Sequence, residues 1–406
     1  MLDIVHITIE PSFIFGGVGT YIKELSKQQQ KNGQKVKIVF LDGIQIPVLH
    51  SLKPSKPFSN LFYRLIKTTY DLVPIFLREK LKLFKVQQNF FAIRQEITPN
   101  TIIHMHNPLL VKKILPILPF KNRTLLTVHG YYAFESLSDD DVKAHSPKLD
   151  KMLQKEVNAY TRVSCNLAVD ERIAQHIHSY APQARVCMHP NFVNEDYFLP
   201  VPLQERQRLR GELNIPQDRI VFLTTRRFEK KNGIPVFAQA ISLLPQASAK
   251  KATFLLIGNG GEFPLVEKII KKTTADVRLF GGVHHSEIKK YYNASDSFVI
   301  PSISVQGVEE ATSISALEAM ACGNLVIASN IGGLKMLIQD GINGLLVQDN
   351  NPQILAKIIE KVIENFPDLK TLKVAARQTI IDKFSLKKYV AFIEKLYLSL
   401  NTPNFL

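Results

Sequence analysis

Short, nearly continuous apolar runs alternate along this chain with longer stretches whose apolar positions recur at helical spacing. Residues 4–9, 36–41, 101–105, 124–128 and 162–169 read as buried strands, and amphipathic stretches such as 19–31 and 147–160 read as the helices between them. The rhythm restarts after about residue 215. Residues 220–225, 253–257, 277–280, 297–300, 325–329 and 344–347 are the second set of strands, again separated by helical patterns. Strand–helix alternation predicts parallel sheets covered on both faces, and two restarts predict two doubly wound α/β domains. Pro200, Pro202 and Pro216 place the seam within 190–216. The first domain is accordingly expected over 1–195 and the second over 196–384.

One segment breaks the alternation. Pro47, Pro54 and Pro57 open a loop, and 61–97 then mixes apolar residues with Arg64, Lys67, Arg78, Lys80, Lys82, Lys85 and Arg94. A basic amphipathic helix of this kind can lie on an anionic membrane surface; a packed helical pair with a solvated basic face is the alternative. The insert is expected over about 44–100.

The chain has 406 residues, 45% hydrophobic and 21% charged, a globular balance and enough length for two cores. No apolar run is long enough to span a bilayer. The amino terminus enters a strand at once, without the basic, apolar and small-residue regions of a signal peptide. Cys165, Cys187 and Cys322 show neither metal-like spacing nor disulfide density, so a reduced, cytoplasmic protein is expected, at the inner face of the membrane if the basic insert binds lipid. The formal charge of +15 can attract nucleic acid, anionic lipid or phosphorylated substrates. No zinc-finger, homeodomain or RNA-recognition signature accompanies it, so nucleic acid is not an expected partner.

Three stretches carry candidate chemistry. After the first strand come Gly16, Gly17 and Gly19 and then a helix. Glycines at such a turn let backbone N–H groups approach an anion at the positive helix end. The turn can hold a phosphate or an acceptor, open a dinucleotide site with Asp42 as the ribose-binding acid, or be purely structural. Against the dinucleotide reading, the full Gly-x-Gly-x-x-Gly is missing, because Ile22 stands at the third position.

The second stretch is Glu309-Glu310-Ala311-Thr312-Ser313-Ile314 through Glu318 to Gly323, following the strand 297–300. Thr312 or Ser313 is the expected N-cap and Gly323 the stop of a helix over about 313–322. Glu318 then shares a buried face with Ile314, where a carboxylate needs hydrogen-bond donors such as a sugar diol. Glu310 sits beside the helix's free N–H groups, which can bind a diphosphate. The third stretch, Arg226-Arg227-Phe-Glu-Lys230-Lys231-Asn-Gly233, follows the strand 220–225. Cations at the carboxyl end of a parallel strand sit where open α/β sheets bind ligands, and they stabilise a departing phosphate. Neither stretch contains an Asp-x-Asp pair, so no divalent metal is expected. His104, His106 and His129 end two strands of the first half. Their spacing places no third zinc ligand, and His129, before Gly130, is the one whose ring can face a cleft.

Together these stretches resemble the retaining group 1 glycosyltransferases of the GT-B fold, the superfamily of sucrose synthase-like and mannosyltransferase-like enzymes. Gly16-Gly17-Val-Gly-Thr-Tyr, Ile103-His104-Met-His106-Asn107-Pro108, Thr127-Val-His129 and Pro190-Asn191-Phe-Val-Asn194 carry the resemblance in the first half. Glu310 through Glu318-Ala-Met-Ala-Cys-Gly323, Gly332-Gly333, Asp340-Gly341-Ile-Asn343-Gly344 and the tail from Phe384 carry it in the second. It implies two Rossmann-like domains facing a cleft, with 385–406 crossing back to the first domain. A nucleotide-sugar is the implied donor, a saccharide or lipid-linked molecule the acceptor, and no cofactor is needed. Arg226 or Arg227 and Lys231 are implied to hold the diphosphate, Glu310 the donor sugar and Glu318 the ribose. His129 is implied to face the sugar, and Gly16 and Gly17 to border phosphates and acceptor. Ala311, Thr312 and Ser313 replace the family's usual Phe-Gly, which bears on donor identity, and with Ile314 they are implied to bind the donor. A non-catalytic GT-B subunit that binds a nucleotide or a partner is the other reading, and a nicotinamide-dependent oxidoreductase resting on Gly17, Gly19 and Asp42 a third.

Overall fold

The computed structural model describes residues 1–12, 17–45, 75–138 and 143–400. The chain forms two compact units: Met1–Ala133 with Pro147–His189 and the chain from Tyr389 onward, and Phe134–Ser146 with Pro190–Lys388.

The first unit is built on a seven-stranded sheet of β1 (Asp3–Ile7), β2 (Lys35–Phe40), β3 (Gly43–Gln45), β4 (Ile102–Met105), β5 (Arg123–Val128), β6 (Cys165–Ala168) and β7 (Val186–Met188). The order across the sheet is β3-β2-β1-β4-β5-β6-β7, parallel except for the antiparallel β2–β3 pair. The second unit carries β8 (Ile220–Thr225), β9 (Ala252–Ile257), β10 (Asp276–Phe280), β11 (Ser297–Ile300), β12 (Leu325–Ser329) and β13 (Leu345–Val347), all parallel in the order β10-β9-β8-β11-β12-β13. Every residue of β9 and of β12 is buried, which is why these strands read as continuous apolar runs rather than alternating ones. The α/β class and the paired doubly wound sheets are as expected, and each expected strand is present. The strands missed are β3 and β7, three-residue segments at the two edges of the first sheet, too short to show a period.

Within the expected insert, Ile75–Ala92 is helical and Arg94–Glu96 forms a 3-10 turn; residues 46–74 lie outside the described residues. Leu83, Val86, Phe90 and Ile93 are buried at helical spacing, while Leu81, Phe84 and Phe91 are exposed together with Lys80 and Lys85. Among the described residues no helix is long and apolar enough to cross a membrane. The helix Leu386–Ser399 brings the chain back to the first unit. There Tyr389 and Tyr397 are buried, and Tyr389 hydrogen-bonds Tyr21 through the two hydroxyls. The three cysteines are free and buried. The adjacent strands β6 and β7 bring the sulfurs of Cys165 and Cys187 to 3.1 Å, a proximity that their sequence spacing did not signal.

Both sheets have a switch point, where consecutive connections leave in opposite directions. In the second unit it lies between β8 and β11, in the first between β1 and β4. Open α/β sheets bind ligands beyond the carboxyl ends of the strands at such a point.

Candidate functional site

At the second unit's switch point the chain leaves β8 as Arg226-Arg227-Phe228, and Phe228 is buried. The loop turns through Gly233 at φ +63°, where an added Cβ would sit 1.8 Å from the Pro301 carbonyl oxygen. The Ile303 amide donates to the Lys231 carbonyl at 2.9 Å. The loops after β8 and β11 are therefore seamed backbone to backbone, and only glycine fits at the seam.

That seam brings Arg226 and Glu310 together. Arg226 Nη1 donates to Glu310 Oε1 at 3.0 Å and to Ser313 Oγ at 2.9 Å. Nη2 donates to Glu310 Oε2 at 2.7 Å and to Asn232 Oδ1 at 2.5 Å. Asn232 in turn donates to the Arg227 carbonyl at 2.7 Å. Both terminal nitrogens are thus fully committed to protein groups, in the bidentate geometry that makes such pairs strong. Arg227 is exposed, and Lys231 is partly exposed with its Nζ 3.7 Å from Glu135 Oε1; neither guanidinium nor ammonium is locked into the Glu310 pair as Arg226 is. Burial works against the Glu310 charge, yet the Arg226 guanidinium, reinforced by Lys231 and Arg227, holds its carboxyl below the ordinary range.

The helix beyond it runs Ile314–Ala321, with Ser313 at the N-cap and Gly323 just past the end at φ +76°. Ser313 occupies the expected cap position without capping. Its hydroxyl accepts from Arg226 and pairs with Ser315 at 3.1 Å, and it makes no hydrogen bond to the first amides. Thr312 is buried, with its carbonyl taken by Asn191 at 2.9 Å; Ala311 and Ile314 are partly exposed. After β12, the Gly333 amide donates to the Glu310 carbonyl at 2.8 Å and the Gly332 amide to Glu309 Oε2 at 2.9 Å. A Cβ on Gly333 would lie 2.6 Å from the Ala311 carbonyl carbon and 2.7 Å from the Thr312 nitrogen. Gly333→Ala is expected to lose about 1–3 kcal/mol of stability, as overpacked sites do, and to displace Glu310. Gly261→Ala, which meets nothing within 4 Å, serves as the neutral control. Denaturant titrations of the two variants check this, and equal midpoints would remove the constraint.

Glu318 lies on the buried face, as its spacing implied. Its need for donors, however, is met by the protein: His285 Nε2 lies 3.1 Å from Oε1, and the Tyr292 hydroxyl donates to Oε2 at 2.8 Å. The Thr225 hydroxyl lies 2.8 Å from Tyr292 Oη. Since the phenol's one proton goes to Glu318, Thr225 is the donor there. Burial of the carboxylate therefore does not by itself call for a diol, although a carboxylate with two partners retains lone pairs. Sequence reasoning missed His285 and Tyr292, which lie on the helix His285–Ala294 and carry no motif.

In the first unit Gly17 opens the helix Gly17–Lys31 and is exposed, and Gly16 lies outside the described residues. Asp42 accepts from the Ser12 amide at 2.7 Å and from its hydroxyl. The acid weighed as a ribose ligand is thus bonded within its own turn, with lone pairs left over. The parallel register pairs His6 of β1 with His104 of β4. The third histidine that spacing did not supply is thus His6: ring nitrogens of His6, His104 and His106 lie within 4.8 Å of one another, a group able to hold a metal ion. His129 lies 3.3 Å from His106 through Nε2 and Nδ1, its ring edge-on to Tyr21 at 4.8 Å.

Residues 205–379 match the family described as glycosyl transferases group 1, and residues 15–197 match glycosyltransferase family 4. The chain belongs to the group 1 glycosyltransferases, with a GT-B fold. A D-inositol 3-phosphate glycosyltransferase of Catenulispora acidiphila is 28% identical over 234 residues, 55% of this chain and 53% of that one. The lipopolysaccharide 1,2-N-acetylglucosaminetransferase of Salmonella typhimurium is 26% identical over 343 residues, 81% and 78% of the two chains. The Anabaena protein HepE, solved in complex with UDP, superposes with a TM-score of 0.70 at 18% identity, covering 98% of this chain and 100% of that one, a likeness of fold. This group 1 chain spans about half the length of the first curated relatives it matches.

Proposed function

We propose that the protein transfers a glycosyl group from a nucleoside-diphosphate sugar to a hydroxyl acceptor with retention of configuration, in polysaccharide or glycolipid synthesis. The observation that carries the reading is the braced Arg226–Glu310 pair beside the exposed Arg227, the partly exposed Lys231 and a helix start whose N-cap side chain makes no capping bond, all at the switch point of the second sheet. The bond from the anomeric carbon to the β-phosphate oxygen breaks, the acceptor oxygen bonds the same face, and the acceptor's proton passes to the departing phosphate. Arg227, Lys231 and the first amides of Ile314–Ala321 meet the charge that develops on that phosphate, each such contact contributing about 3–4 kcal/mol. Glu310, held ionised, contacts the donor sugar, and Glu318 retains lone pairs for the ribose. The relatives' donors and acceptors support this class, HepE having been solved with UDP and the Salmonella protein acting in lipopolysaccharide synthesis by its name.

A thermal-shift screen of UDP-, GDP- and ADP-sugars, followed by NMR of the product's anomeric proton, tests the proposal. An inverted product would overturn retention, and nucleotide binding without transfer to any lipid or saccharide acceptor would favour a non-catalytic subunit. Since cations fill the place of a metal, turnover is expected to survive EDTA. The exposed Leu81, Phe84 and Phe91 beside Lys80 and Lys85 support docking on an anionic membrane. Flotation with anionic vesicles is expected at low salt and not at high salt; no flotation at low salt would remove the membrane from the reading.

A further inference from the structure

The histidines of the first unit form part of one continuous hydrogen-bonded chain whose direction can be worked out. Gln29, on Gly17–Lys31, places its amide oxygen 2.9 Å from His6 Nε2 and its amide nitrogen 3.3 Å from the Tyr397 hydroxyl. An amide oxygen can only accept, so His6 carries its proton on Nε2 and its Nδ1 is a lone pair. His106 Nε2, 3.0 Å from that lone pair, must donate to it, which leaves His106 Nδ1 bare. His129 Nε2, 3.3 Å from His106 Nδ1, must then be the donor.

On the other side of Gln29 the phenol oxygen can accept two hydrogen bonds, and the order that also uses its single proton is the following. The amide nitrogen donates to Tyr397 Oη, the phenol donates to His104 Nδ1 at 2.8 Å, and His104 Nε2 donates to Thr127 Oγ1 at 2.7 Å. Each bond along this path then joins one donor to one acceptor, and all four imidazoles are Nε2-protonated. His6, His104 and Thr127 are fully buried and His106 nearly so. His6, His104 and His106 each donate through one ring nitrogen and accept through the other, the pattern of a neutral imidazole. Turning the Gln29 amide over would reverse every bond in the chain and move the His129 proton to Nδ1.

We propose that this chain is a tautomer lock: it holds the proton of His129 on Nε2 and leaves Nδ1 as a lone pair, so that His129 meets its ligand as an acceptor for a hydroxyl group and not as a donor to phosphate. The proposal rests on the reading, implied by the family resemblance, that His129 faces the transferred sugar. His106, His6, Gln29 and Tyr397 are then positioning residues, and the contact they prepare is to a sugar hydroxyl.

Long-range proton–nitrogen spectra of the full chain labelled with 15N-histidine, at pH 7 and without substrate, test the lock directly, with His129→Asn assigning the decisive signal. A neutral Nε2-protonated His129 is expected. In Gln29→Met the lock is cut, and His129 is expected to show both tautomers, with kcat/KM down about tenfold, the worth of one such hydrogen bond. Tyr397→Phe, which frees the amide to turn, is expected to mix the tautomers as well and covers the case in which the first variant does not fold. An Nδ1-protonated His129 in the native chain would overturn the proposal. So would a single unchanged tautomer in both variants, or one equivalent of zinc bound at His6, His104 and His106 with loss of the ring protons. Full transfer activity in His129→Ala would instead remove His129 from the site and leave the lock standing.

Discussion

An Arg226→Ala variant is expected to turn over at least about a hundredfold more slowly and to lose about 3 kcal/mol of stability. The two losses have one origin. Arg226 and Glu310 have side chains only 8% and 15% exposed, and the guanidinium gives all of its terminal hydrogen bonds to Glu310, Ser313 and Asn232. Removing it strands a mostly buried carboxylate, the costly half of breaking any buried pair, and releases the residue proposed to contact the donor sugar. Lys231→Ala should separate the two effects. The Lys231 side chain makes one partly exposed ion pair, 3.7 Å from Glu135, and no hydrogen bond to Glu310, so turnover is expected to fall by two or more orders of magnitude while stability changes by no more than about 1 kcal/mol. The double variant Arg226→Ala/Glu310→Ala, lacking both charges, should recover much of the stability and none of the activity, a coupling that a thermodynamic cycle reads directly. Near-native turnover in Arg226→Ala would remove the brace from the mechanism.

How legible this site is in the sequence depends on the range over which each feature is determined. The apolar runs that become β8, β11 and β12 end where polar chain begins, so Arg226 and Glu310 could be placed beyond strand ends without knowing the packing. Which arginine turns inward could not be placed so. That follows from the contact of Gly233 with Pro301 and the reach of Arg226 to a serine 87 residues away. The same contact explains why Ser313, one of the two cap positions expected, does not cap: a buried guanidinium outbids a local amide for its oxygen. Glu318 was legible as a buried carboxylate from helical spacing, but its partners His285 and Tyr292 come from another helix, and only the tertiary arrangement supplies them. His6 looked like any polar residue in a strand. Its role appears only when the parallel register sets it against His104.

The acid stability of the first unit should depend on that histidine group. His6 titrates near 4 in the folded chain because burial disfavours its charge, against about 6.5 in an unfolded chain. Above 6.5 the ring is neutral in both states and contributes no pH dependence. Below it the unfolded chain takes up a proton that the folded ring refuses, so stability falls as pH drops through the window from 6.5 to 4. At about 1.4 kcal/mol per unit, His6 alone removes roughly 3 kcal/mol by pH 4. His104 and His106, lowered well below their ordinary value first by burial and then by neighbouring imidazoles, His6 and His129 for both and His104 for His106, act in the same direction. Glu310 in the second unit has the opposite charge but the same sign. Its folded carboxyl titrates below the unfolded value, so the stability it contributes is present above about pH 4.3 and lost as pH falls beneath that. The first unit should therefore loosen at a higher pH than the second. Hydrogen exchange resolved by segment between pH 7 and 4 is expected to show β1, β4 and β5 losing protection before β8, β11 and β12. His6→Gln should flatten the first transition by about one proton. Equal protection of the two sheets down to pH 4.5 would mean that water reaches these rings, and a hydrated histidine group could hold neither its neutrality nor a fixed order of hydrogen bonds.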